Sequence, residues 1–165
     1  MTKNILTPTM VATLKTYVNA SVDATIVDAR TRGDTTLLAA QLNLEAAGPV
    51  KAWFTPSAQV IDEATPWANF DNITQAGKRD SWLHAFFRYP RDFSKAAVRK
   101  WATDIWGNAT AGSDAEKILL AALENATVAQ NVIGGTVRTT NAVSGLDRNY
   151  IGTISQTDCQ AILAG

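Results

Sequence analysis

The chain has 165 residues, 46% of them hydrophobic and 18% charged, with fifteen Lys and Arg balanced by fifteen Asp and Glu. Its length fits one domain able to bury a core, and its zero net charge lacks the strongly basic balance of a dedicated nucleic-acid-binding domain. The single cysteine, Cys159, excludes an internal disulfide and a cysteine metal cluster.

Charge this low, against a usual ~25%, suggests that other protein covers part of the surface. Met1-Thr2-Lys3-Asn4-Ile5-Leu6 has no signal-like apolar core of about 7–15 residues. No run approaches the ~20 apolar residues of a membrane span. A soluble chain made in the cytoplasm is expected, with no membrane partner.

Thr7-Pro8 reads as a helix N-cap followed by proline at the first helical position, with Met10, Leu14, Tyr17 and Val18 as its apolar stripe. A second helix follows Asp23, with Ile26 and Val27 inward, and stops near Gly33. Asp34 opens a third, with Leu37, Leu38 and Leu42 on one side, ended by Gly48-Pro49. Val50–Phe54 is the clearest extended piece of the first half, and residues 57–64 suit a short helix. Trp67, Phe70 and Ile73 lie in an aromatic connector of undetermined state.

Residues 73–89 read as a helix with Leu83, Phe86 and Phe87 inward, stopped by Pro90. Residues 94–106 form the best amphipathic helix, with Val98, Trp101, Ala102 and Ile105 at i, i+3, i+4 and i+7. Ser113-Asp114-Ala115-Glu116 is a capping box opening a long helix to about Ile133, closed by Gly134-Gly135. Residues 136–152 lack a helical period and read as a long loop or loose hairpin, Thr136–Val143 against Tyr150–Ile154. Ser155 caps a last helix, with Asp158 completing its box. The expected fold is mainly α: a bundle of about six to seven helices in residues 1–135, a short extended segment or hairpin, and a C-terminal arm in residues 136–165.

Residues 78–106 concentrate seven of the fifteen Lys and Arg and seven of the thirteen aromatics, with only three acids. Two packed helices account for the aromatics. The cations Arg91, Lys95 and Arg99, at i, i+4 and i+8, read as one solvent-facing row able to meet acidic protein or phosphates. His84 has Asp80 and Ser81 nearby, but residues one turn apart on a single helix cannot form a triad. A lone His without H-E-x-x-H offers no metal site. Asp62-Glu63 diverge around a helix and make no carboxylate dyad. The glycines fit no phosphate-loop or dinucleotide spacing. Cys159 lacks a basic neighbour and reads as an idle thiol. No catalytic, metal or cofactor-binding residue is assigned, and no enzyme activity is expected. Val137, Val143, Leu146, Tyr150 and Ile151 would be unexpectedly exposed on a loop, which suits an arm ordered against a neighbouring subunit.

Three stretches, Val50-Lys51-Ala52-Trp53-Phe54, Trp67-Ala68-Asn69-Phe70-Asp71-Asn72-Ile73 with the following Gly-Lys-Arg helix, and Phe93-Ser94-Lys95-Ala96-Ala97-Val98-Arg99 leading to Trp106, resemble a group of virion structural proteins of tailed bacteriophages. The ending Ile151-Gly152-Thr153-Ile154-Ser155-Gln156-Thr157-Asp158 is similar to that group's as well. The chain departs from the group at Asn125–Gln130, where the members carry an Arg- and aromatic-containing run. The resemblance implies a head–tail connector, or adaptor, that forms a homo-oligomeric ring in the neck of the virion. Its implied partners are portal and tail proteins and packaged DNA. The alternatives are a tail or head-decoration component and a small DNA-binding module.

Overall fold

The computed structural model describes residues 3–47, 50–86 and 88–164. In chain order the elements are α1 (Pro8–Ala20), α2 (Ala24–Arg32), α3 (Thr35–Asn43), β1 (Lys51–Trp53), α4 (Ala58–Ala64), α5 (Trp67–Phe70), α6 (Ala76–Ala85), α7 (Ala96–Trp106), α8 (Asp114–Ala121), β2 (Leu123–Asn125), α9 (Val128–Ile133), β3 (Gly135–Thr140), β4 (Val143–Arg148) and α10 (Gln156–Leu163). Among the described residues, ten helices make up 53% and a four-stranded mixed sheet 13%. The architecture is therefore α with β, which corrects the expected bundle of six to seven helices.

Capping side chains fix most helix starts. Thr7, Asp23, Asp34, Ser57, Ser113, Thr127 and Ser155 each accept a backbone N–H from the first turn of the helix they precede. Each such cap contributes about 1 kcal/mol. At Ser155 the box is complete, with Asp158 accepting from the Ser155 N–H at 2.8 Å. At Ser113 it is half made, because Glu116 accepts from Gly112 instead. Gly33 ends α2 in the left-handed region, φ 66°, where its N–H reaches Ala29 and Arg30 carbonyls. Gly48-Pro49, the expected stop of the third helix, lies outside the described residues; α3 ends at Asn43.

The expected helix from Ser113 to Ile133 is interrupted. α8 ends at Ala121, and the next residues take their hydrogen bonds from an extended neighbour: Phe54 donates to Ala122 and Ala126 donates to Val50. Thr127 then starts α9 with a full capping box to Gln130. A local cap and strand partners together outweigh the helical propensity of the intervening residues.

The chain divides into two compact units. Unit 1 comprises residues 1–50, 125–136 and 148–165. Its core packs Leu14 and Val18 of α1, Ile26 and Ala29 of α2, Leu38 and Leu42 of α3, and Ala129 of α9 with Tyr150, Ile154, Cys159 and Ile162. Each fully buried aliphatic side chain contributes about 1.5–3 kcal/mol. Asn43 ties the return segment down, accepting from the Ile154 N–H at 2.9 Å and donating to its carbonyl at 2.8 Å.

Unit 2 comprises residues 51–124 and 137–147. Its core is aromatic: Trp82 stacks on Phe86 at 4.3 Å, meets Trp106 edge-on at 5.4 Å, and Phe86 reaches Phe93 and Trp101. Trp53, Ile105, Ile118 and Leu119 complete it. The helix expected over 73–89 is the shorter α6, with Phe86 and Trp82 buried and Leu83 exposed; Phe87 lies outside the described residues. The strand order is β2-β1-β4-β3, with β1 and β4 parallel and Ala52 opposite Leu146. The two-residue connection Asn141-Ala142 makes β3 and β4 a hairpin. Asn141 takes φ 53°, a left-handed conformation that Asn tolerates. The loose pairing expected for residues 136–154 thus shifts to 135–140 against 143–148. The expected C-terminal arm becomes a hairpin in the sheet and a final helix in the core of unit 1.

Candidate functional site

The row of Arg91, Lys95 and Arg99 does not form. α7 begins at Ala96, so Lys95 is its N-cap and Arg91 precedes it, and the i, i+4, i+8 spacing describes no helix face. Arg99 turns inward and is 2% exposed. Its Nε donates to Thr140 Oγ1 at 2.8 Å, and its Nη1 donates to the carbonyls of Phe93 and Ser94 at 2.5 and 2.7 Å. The guanidinium lies 4.8 Å from the Trp53 ring centroid. Burial lowers its pKa, Arg138 adds to that, and Asp147 and Asp92 oppose it. The planar fork of donors explains why arginine stands there: three acceptors on two strand and loop segments are met by one rigid group. Arg91 donates to the Ala85 carbonyl at 2.9 Å and lies over Tyr89 and Trp101. Only Lys95 of the three is exposed.

The apolar set after Gly135 also separates. Val143 and Tyr150 are core residues, Leu146 is half-buried, and Val137 and Ile151 are exposed, 66% and 48%. Burial raises the Tyr150 pKa, and Asp158 raises it further. Cys159 is buried in the same core, and its thiol is pushed up to about 11 by burial and then by Asp158. His84 is exposed, with Nδ1 2.9 Å from the Asp80 carbonyl oxygen. Asp62 accepts from Trp67 Nε1 and Glu63 from Gln59, so the acid pair is engaged separately.

Two features remain available to partners. The first is β3, the end strand of the sheet, whose residues are exposed from Gly135 to Thr139. Its one charge, Arg138, pairs with Asp147 at 3.8 Å, and the other side chains are Thr and Val. An end strand presents unpaired backbone N–H and C=O groups along its outer side. Trp53 Nε1 donates to the Arg138 carbonyl at 3.0 Å, and the indole lies against Gly145 of β4. That contact anchors the exposed strand to the core.

The second is an open cleft of about 550 Å³ between the α5–α6 connector, the end of α7 and the start of α8. Asn69, Asn72, Gln75, Asp104, Trp106 and Asp114 line it. These residues come from three separated stretches of sequence without a shared spacing, and no sequence pattern announces them. Among the described residues no group of three His, Cys, Asp or Glu is placed to hold a metal ion. No helix there is long and apolar enough to cross a membrane.

Searches of protein-family models, of curated proteins and of solved structures find no match to this chain.

Proposed function

We propose that this chain is a non-enzymatic structural subunit of a tailed-phage virion, a head–tail connector that assembles into a ring between portal and tail. The observation that carries the reading is the exposed end strand β3, a six-residue edge of mostly β-branched side chains whose one charge, Arg138, is paired with Asp147. Such an edge can be extended by a strand from a neighbouring subunit, with backbone hydrogen bonds giving affinity and alternate side chains giving register. Exposed large apolar residues on each unit fit a surface covered in an assembly: Val22 and Leu44 on one, Tyr89, Leu120 and Val137 on the other. The zero net charge fits subunits that pack side by side without mutual repulsion. Ring closure needs head-to-tail contacts, so β3 would meet a different surface of the next copy. A DNA-binding module loses its main support, because Arg99 is buried and Arg91 is held by the chain's own groups.

Light scattering on the purified chain, and on neck complexes reassembled with portal, tests this. The parent chain should form a discrete ring, alone or on portal. Val137→Lys, which places a charge on the exposed strand, should lower assembly without changing the unfolding midpoint. A discrete monomer that binds no other virion component would remove the connector reading. Assembly indifferent to Val137→Lys would remove β3 from it.

A further inference from the structure

The cleft of unit 2 is walled by planar polar side chains, and the polar groups there differ in how they are engaged. Asp104 is held by Lys100 one turn earlier, at 2.6 and 2.7 Å. Asp114 is held by Lys117 at 3.2 Å and accepts from Asn69 Nδ2 at 2.8 Å. Both carboxylates are thus fixed and partly neutralised, while each keeps acceptor lone pairs. Asn72 and Gln75 differ. Among the described residues their amides make no hydrogen bond, and Gln75 stands at the N-cap of α6 without capping it by its side chain. Two amides, each with paired donors and acceptors, therefore stand uncommitted beside two oriented carboxylates. Trp106 supplies an aromatic wall; its indole nitrogen is buried and makes no hydrogen bond among the described residues. Its ring is set edge-on to Trp82, which fixes its orientation.

Charge narrows the ligand class. Lys100 and Lys117, outside the lining, pair with Asp104 and Asp114, and Lys78 in the lining leaves one net positive charge. A divalent cation is disfavoured by that charge, and a phosphate by the two carboxylates beside it. What suits it is a neutral molecule carrying adjacent donor-acceptor groups. Vicinal hydroxyls meet planar amides and carboxylates two bonds at a time, and the less polar face of a sugar ring packs on an aromatic side chain. The volume lies within the range of small-ligand sites, about 300–1,000 Å³.

We propose that this cleft is a saccharide-binding site that takes a mono- or disaccharide. Asn72 and Gln75 engage ring hydroxyls, Asp104 and Asp114 accept from them, and Trp106 forms the apolar wall. The inference is independent of ring assembly.

The test is titration of the full chain with maltose, with the N-acetylglucosamine disaccharide, and with inorganic phosphate as control. The readout is the indole N–H signal of Trp106 in two-dimensional NMR, assigned with Trp106→Phe. One of the two saccharides should give a saturable shift with Kd in the range of about 1 mM, and Asn72→Ala/Gln75→Ala should weaken it by about tenfold or more. Both positions are exposed, and the variant's remaining spectrum reports whether it is folded. The proposal is overturned if neither saccharide shifts the signal at about 50 mM. It is also overturned if the double variant binds as the parent does, or if phosphate gives the saturable shift instead.

Discussion

Gly145→Ala should cost unit 2 about 3 kcal/mol. A methyl group built on Gly145 meets the Leu123 side chain and stands 2.8 and 2.9 Å from Nε1 and Cε2 of Trp53. Leu123 can turn its half-buried side chain aside, but Trp53 has no easy retreat. Trp53 is 1% exposed, its indole N–H is bonded to the Arg138 carbonyl, and the Arg99 guanidinium lies across its face. Forcing extra volume into such a site costs about 1–3 kcal/mol, and a displaced indole gives up a hydrogen bond worth about 1 more. In a chain of this length that sum lowers Tm by about 6–12 °C. All five tryptophans belong to unit 2, so tryptophan fluorescence during urea unfolding reads that unit directly. A second variant isolates the cause. In Trp53→Phe the indole Nε1 that the new methyl would crowd is gone, so Gly145→Ala should cost less there, a coupling of about 1 kcal/mol or more. A cost below about 0.5 kcal/mol in the parent, or an equal cost in both backgrounds, would refute close packing of Trp53 on Gly145.

Arg99→Lys should cost about 2–4 kcal/mol in the same assay, because an ammonium cannot serve Thr140, Phe93 and Ser94 together. Lys95→Ala should stay within about 0.5 kcal/mol, and equal losses at the two positions would restore a common surface role. In unit 1 the buried Cys159 has a folded pKa above its ordinary value of 9.0, at about 11, and that of Tyr150 is raised too. A raised folded pKa means that the unfolded chain releases the proton first. The stability is whole below the unfolded thiol pKa and falls as pH rises from 9.0 to about 11. Urea midpoints followed by far-ultraviolet circular dichroism should drop across that window, and less so in Cys159→Ala. A flat profile would show that the thiol is not buried in the folded chain.

Local rules read the helix boundaries well. Thr7, Asp23, Asp34, Ser113 and Ser155 are short-range signals, each acting on N–H groups two or three residues away. The pairing of aromatics between the two central helices was legible for the same reason, since Val98, Trp101, Ala102 and Ile105 repeat at the helical period. Errors arose where a distant strand competed with local propensity. Nothing within residues 113–133 says that residues 122–126 will find extended partners near residues 50–54. Arg99 lies on the buried face of α7 with Ala102 and Ile105, and only the folded chain brings it the strand hydroxyl and two carbonyls that receive its charge.

The sequence by itself determined the capped helices and the segments rich enough in apolar residues to be buried, because caps and periodic faces depend on neighbours along the chain. Tertiary structure alone decided the four-stranded sheet, the inward arginine, the exposed β3 edge and the amide-lined cleft. Each of these joins residues tens of positions apart, and the free energy that selects them comes from packing and hydrogen bonds that exist only once the chain has closed on itself.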